Sequence, residues 1–326
     1  MHVVAAPDKF RGTATAAEAA AAIAAAVEAL GHTCDQAPMA DGGEGTLDAL
    51  GGANRTTTVT GPLGEPVEAE WRYDRRRAVI EMARASGLVL AGGAEANDPV
   101  AASTIGTGEL IAQAVESGAR HVVVGVGGSA TTDGGLGALR ALYPLQRMRG
   151  VELVVACDVR ATFVDAAAVF APQKGATPAQ VRLLTGRLER LADVYLHDHG
   201  IDVRDLVGSG AAGGLAGGLA AIGARLESGF EVVAEEVALF DRLEGADLVI
   251  TGEGFLDAES FDGKTVGGVA HLAAALGIRC LAVAGRCYDG ADAHLESYSL
   301  IEACGEERAM ADTTACITEV VAAALR

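Results

Sequence analysis

The run Val122–Val126 is apolar from end to end, and it ends in Gly127-Gly128. A strand with one wet face alternates polar and apolar side chains, whereas an unbroken apolar run needs cover on both faces, as in a parallel sheet. The segment before it, Thr107–Ser117, reads as a helix stopped by Gly118. The same grammar recurs at Val3–Ala6, Leu153–Cys157, Asp247–Thr251 and Leu281–Ala284, each followed by Gly, Asp or a turn. After the first of these, Thr15-Ala-Ala-Glu18 has the form of a capping box, and it opens a helix expected to run to Leu30 and stop at Gly31. Strand then helix, repeated, predicts an α/β fold: a Rossmann-like parallel sheet with helices on both faces.

One stretch breaks that rhythm. Asn54–Thr60, Val67–Tyr73 and Ala78–Met82 read as strands joined by turns, including Gly61-Pro62-Leu63-Gly64. They predict an antiparallel portion within a second α/β domain. No linker-like stretch divides the chain, so the expected second domain is interleaved. The expected division is residues 1–55 and 225–326 for the Rossmann-like domain and 56–224 for the other.

The chain has 326 residues, half of them hydrophobic, with 25 basic against 44 acidic side chains and a net charge of −19. That field repels polyphosphate backbones and acidic bilayers, so neither nucleic acid nor a membrane is an expected partner. Leu206–Ala224 carries no charge, but glycine fills too much of it for a membrane span. With no leader-like start, the expected location is the cytoplasm. The six cysteines show neither disulfide-framework nor zinc spacing and read as reduced thiols.

Lysine use is the sharpest chemical signal. Of 25 basic residues only three are lysines: Lys9, Lys174 and Lys264. Each lies in Gly/Pro/Asp punctuation, at Pro7-Asp8-Lys9-Phe10, Pro172-Gln173-Lys174-Gly175 and Asp262-Gly263-Lys264-Thr265. A compact ammonium suits a phosphate; three surviving surface lysines are the plain alternative. Ala258–Thr265 meets a relaxed phosphate-loop pattern, yet Glu253, Asp257, Glu259 and Asp262 surround it, and its strand is expected to end near Thr251. Such a loop would repel a bare triphosphate and suit an Mg2+–phosphate complex.

Three glycine-rich turns complete the set. Gly125–Gly135 follows the apolar run and offers Ser129, Thr131, Thr132 and Asp133 at the start of an expected helix. Its glycine spacing fits a dinucleotide fingerprint poorly. Asp41-Gly-Gly-Glu44 pairs two carboxylates in a turn, and Gly208-Ser-Gly-Ala-Ala-Gly213-Gly214 could let a nucleotide approach the backbone closely. No Ser/His/Asp spacing supports nucleophilic hydrolysis.

Taken in order, Ala6–Gly12, Ala40–Thr46, Gly106–Leu110, Gly127–Gly135, Ala156–Val159, Phe170–Gly175, Gly208–Leu215 and Ile250–Asp257 resemble the motifs of bacterial type I glycerate kinases across nearly the whole chain. The resemblance implies Mg2+- and ATP-dependent phosphorylation of D-glycerate, usually to 2-phosphoglycerate. Alternatives are a kinase forming 3-phosphoglycerate or acting on another small hydroxy acid, and a catalytically degraded binding protein. An NAD-dependent oxidoreductase would explain the glycines and parallel strands but not the lysines.

Within the resemblance, Lys9, Arg11, Lys174 and Lys264 fall to phosphates or the glycerate carboxylate, with Lys264 the one expected to govern turnover. Ser129, Thr132 and Gly213 join the binding set. Glu44, Glu253 and Asp257 are candidates for Mg2+ or its water shell. Asp133 is the expected base, with Asp158 in reserve. The partners implied are glycerate and ATP, with a homodimer the one protein assembly considered. The sequence departs from the family at Arg11, where lysine is common, at Thr132, where asparagine is common, and at Phe255, where a basic residue is usual. Between Leu142 and Val151 it lacks a segment that typical members carry.

Overall fold

The computed structural model describes residues 1–10, 12–261, 264–288 and 295–326. Its strands are β1 (His2–Pro7), β2 (Thr33–Gln36), β3 (Arg55–Thr60), β4 (Pro66–Asp74), β5 (Arg77–Glu81), β6 (His121–Gly125), β7 (Glu152–Ala156), β8 (Arg225–Glu227), β9 (Leu248–Leu256), β10 (Arg279–Cys287) and β11 (Glu296–Ser299). By contact density the chain divides into two compact units. Unit 1 comprises Met1–Asp41, Asp48–Gly51 and Phe230–Arg326; unit 2 comprises Gly42–Leu47 and Gly52–Gly229.

Unit 1 carries a five-stranded sheet in the order β11-β10-β9-β1-β2, and every pairing is parallel. Its interior strand β1 is apolar from Val3 to Pro7 because both of its faces are covered. Val3 and Ala5 join a cluster with the Ala16–Ala29 and Thr313–Ala324 helices, while Val4 and Ala6 join another with Phe230, Val233, Leu239 and Val269. Alternate residues of one strand thus feed two cores, which the period of two in a strand requires. The helix after β1 starts as its sequence predicts: Thr15 Oγ1 accepts from the Glu18 amide, and the Glu18 carboxylate accepts from the Thr15 amide.

Unit 2 carries a six-stranded mixed sheet, β3-β4-β5-β6-β7-β8. The hairpins β3–β4 and β4–β5 are antiparallel, and β5 through β8 run parallel. The fold is therefore α/β with a parallel sheet and a second, mixed one, as the sequence predicts. Within the glycine-rich segment Leu206–Ala224, Ala211–Ala221 is a wholly buried helix with non-helical dihedrals at Ala212, Gly213 and Gly214. No helix among the described residues is long and apolar enough to cross a membrane.

One boundary needs correction. β9 does not stop near Thr251 but continues to Leu256, because β10 runs on beside it and pairs Glu253 with Ala284 and Phe255 with Arg286. β1 offers β9 no paired residue beyond Gly252. Glu253 therefore stands on a strand, held by backbone pairing, rather than in a loop.

Candidate functional site

In unit 1 the ends of β1 and β9 bring ionisable groups together. Asp8, just past β1, is only 7% exposed. Its Oδ2 accepts from the Thr265 hydroxyl at 2.8 Å, and its Oδ1 accepts from the Lys9 amide at 2.6 Å. Burial raises the Asp8 pKa, and Lys9 opposes that shift. Lys9 Nζ stands 3.8 Å from Asp8 Oδ1 and 3.9 Å from Asp41 Oδ1, so a single ammonium bridges two carboxylates. Lys264 is the N-cap residue of the Thr265–Leu276 helix, and Thr265 at the first helical position is the group that ties this helix to Asp8.

Glu253 is the anomaly of the cluster. Burial pushes its carboxyl up to about 7; Asp8 and Asp257 add to the rise, while Ser260 and Lys264 oppose it. Its Oε1 is buried and has no hydrogen-bond partner. A buried carboxylate oxygen without a donor is costly, and it marks a place where an absent cation or proton belongs. Asp257, by contrast, is engaged: its Oδ1 accepts from the Ser260 amide at 3.1 Å and from the Ser260 hydroxyl at 3.3 Å. Phe255 is half exposed, and its ring centroid lies 6.4 Å from that of Tyr288. Arg11 lies outside the described residues.

In unit 2 the glycine-rich turn after β6 is organised by a buried lysine and a half-buried aspartate. Lys174 is 2% exposed. Its Nζ donates to Ser129 Oγ at 2.7 Å and to the Thr131 carbonyl at 2.6 Å. Burial pulls its pKa down to about 7, against the opposing pull of Asp133. Asn97 secures the same junction, its amide donating to the carbonyls of Ala130 and Lys174. Asp133 is fully employed. Its Oδ2 accepts from the Thr104 amide and hydroxyl and the Gly137 amide, with Ser103 Oγ at 3.5 Å, and its Oδ1 accepts from the Gly135 amide. Those bonds fix the entry into the Leu136–Leu142 helix.

Gly213 backs this turn rather than opening it. A Cβ there would sit 2.0 Å from the Thr131 carbonyl, and its φ of +66° already disfavours other residues. Ser129 and Thr132 belong to the same turn, and Thr132 Oγ1 is buried without a partner. Glu44 is exposed on its own turn. Asp158 is exposed, and its Oδ1 accepts from the Gly229 amide at 2.8 Å and the Ser228 hydroxyl at 3.2 Å.

The sequence reading missed Asp8 and Glu81. Glu81, 3% exposed, accepts at Oε1 from the amides of Gly45 and Leu47, both at 2.9 Å, and so shapes the Asp41–Thr46 turn from below. Its signal was present: a lone carboxylate closing the apolar run Ala78–Met82 must find donors. Among the described residues no three His, Cys, Asp or Glu side chains form a metal cage. Glu253 and Asp257 do share one neighbourhood, with Asp8 completing it.

The whole chain matches the model of the glycerate kinase family, in two segments, residues 3–143 and 144–326. The break falls inside the shortened joint between Leu142 and Val151. A glycerate 2-kinase of Escherichia coli K12 is 40% identical, over 84% of this chain and 82% of that protein. A glycerate kinase of Halalkalibacterium halodurans is 39% identical, over 90% and 88%. A crystal structure from Salmonella typhimurium LT2, described as a candidate glycerate kinase 2, superposes with a TM-score of 0.86 at 35% identity, covering 100% of this chain and 98% of that one. Matched end to end in sequence and in fold, the chain belongs to the glycerate kinase family.

Proposed function

We propose that the protein phosphorylates D-glycerate with ATP, forming 2-phosphoglycerate, with Mg2+ as the metal. The observation that carries this reading is the unit 1 cluster: a buried Glu253 oxygen with no donor, close to Asp8, Asp257 and Lys264. Mg2+ keeps most of its waters and takes one or two carboxylates besides the phosphates, so a closed protein cage is not required. Glu253 and Asp8 fit that donor set, and Asp257 would act through its waters. The metal would offset charge building on the transferring phosphoryl group.

Lys264 is assigned to the phosphoryl oxygens whose charge grows in the transition state, and Lys9 and Arg11 to bound substrate. Ser129 and Thr132 remain the substrate-binding turn, with Gly213 packed against its back. Lys174 serves that turn from beneath, since its ammonium is already committed to Ser129 and Thr131. Both oxygens of the Asp133 carboxylate are already committed to backbone amides and hydroxyls of its own turn and the 103–104 segment. The base role therefore passes from Asp133, which positions the turn, to the exposed Asp158. The relatives named glycerate 2-kinase and glycerate kinase support the acceptor.

An ATP-consumption assay across glycerate, glycolate, lactate and tartronate, with identification of the product, tests this reading. ADP formed with D-glycerate alone, and phosphate on the 2-hydroxyl, are the expected results. No ADP with any of the four acids, or undiminished turnover in excess chelator, overturns it.

A further inference from the structure

Unit 2 holds a cavity of about 510 Å³ lined by the segment 100–103, the Leu136–Leu142 helix and the Pro178–His199 helix. Its floor is apolar, with Leu136, Leu188, Leu191 and Val194 contributing, and its wall carries Arg140, Arg187 and Arg190. We propose that this cavity binds a small organic polyanion, one whose clustered phosphate or carboxylate oxygens meet the three guanidinium groups while its carbon skeleton rests on the leucines.

The charge pattern argues for an occupant. The chain carries an excess of carboxylates, and among the described residues Arg84, Arg147, Arg204, Arg225, Arg242, Arg279, Arg286 and Arg308 each have an acidic partner. Among the described residues no ion pair joins Arg140, Arg187 or Arg190 to a carboxylate. Arg140, Arg187 and Arg190 are exposed, so water and salt screen their mutual repulsion, and three like charges around one hollow give it a positive local potential that attracts an anion. Arg187 is held in place, its Nη1 donating to the Val100 carbonyl at 3.0 Å. That bond leaves other donors of the guanidinium fork for a ligand.

The inner wall supplies a second sign. Thr132, 2% exposed, lines the cavity, and its Oγ1 has no hydrogen-bond partner. A buried hydroxyl normally finds one. Asp133, the one acidic residue of the lining, has its oxygens occupied by amides and hydroxyls, so its charge opposes an anion less than a bare carboxylate would. The volume falls in the range of small-molecule sites and exceeds what a bare inorganic ion needs. The cavity lies wholly within unit 2 and shares Thr132 with the turn assigned to substrate, while its arginines belong to the Leu136–Leu142 and Pro178–His199 helices and have no part in the kinase reading.

Calorimetric titration of the full chain with ADP, 2-phosphoglycerate, inorganic phosphate and glycerol tests the site and separates the two sources of phosphate oxygens. The expected result is a binding component for ADP or 2-phosphoglycerate that survives Lys9→Ala, the variant expected to weaken binding at the kinase site. It should weaken roughly tenfold or more in Arg187→Gln/Arg190→Gln, and with rising salt. Arg55→Gln/Arg326→Gln removes the same charge elsewhere and should leave that component intact. The proposal falls if no such component appears, if the control pair weakens it equally, or if glycerol binds as well as the anions. A component lost in Lys9→Ala and untouched by the cavity variants would speak for the kinase site alone and also overturn it.

Discussion

The two lysine environments are built on opposite principles. In unit 1, Lys9 lies between Asp8 and Asp41, and nearby Glu253 keeps an oxygen without a donor. In unit 2, Lys174 and Asp133 have nearly all of their hydrogen-bonding capacity spent on one turn. Unmet demand marks a place for a ligand, and saturated demand marks a support. The same residue type, singled out by the same rarity, therefore carries two tasks.

The largest effect should come from Lys264→Ala. Losing a donor to charge that grows in the transition state costs about 3–4 kcal/mol, or two to three orders of magnitude in kcat. Steady-state kinetics with D-glycerate should show that fall with KM little changed, whereas Lys9→Ala should mainly raise KM. Near wild-type kcat/KM in both variants would erase the contrast between the clusters.

Lys174→Met should act through folding. It removes a buried charge but leaves Ser129 and the Thr131 carbonyl without a donor, at a cost of about 1–3 kcal/mol, and the turn loosens. Denaturant unfolding should register this, with activity falling further than stability alone explains. The wild-type pH dependence sharpens the point. With a folded pKa near 7 against 10.5 for the free side chain, Lys174 binds fewer protons folded than unfolded across that interval, so its contribution to stability improves as pH rises through it.

Glu253 titrates with the opposite sign. Its folded pKa of about 7 lies above the ordinary 4.5, so the folded state holds the extra proton and stability drains away as pH climbs through that window. Glu253→Gln should remove the drain, giving a higher Tm than wild type at pH 8 in metal-free buffer and little difference at pH 5, while activity with Mg2+ drops. A variant equally active, or less stable at pH 8, would place Glu253 among the supports instead.

The smallest effect is the control. Thr15→Ala removes a cap worth about 1 kcal/mol, and the Thr15 hydroxyl bonds to Glu18 rather than to either cluster. Tm should fall by a few degrees with kcat/KM unchanged.

The parallel strands, the first helix with its cap, and the antiparallel Asn54–Met82 region were legible from the residues because their signals are local: an apolar run, a Thr-x-x-Glu box, turns between β-branched stretches. The family was legible in the order of short motifs. The length of β9 was not, since it depends on β10 running alongside, a partner some thirty residues away. Nor were the tasks of the lysines. The count isolated Lys174 and Lys264 alike, but only packing decided that one would be buried against Ser129 and Thr131 while the other would cap a helix beside Glu253. Residue type sets what a side chain can donate or accept; burial and neighbours distant in sequence set what it is left needing.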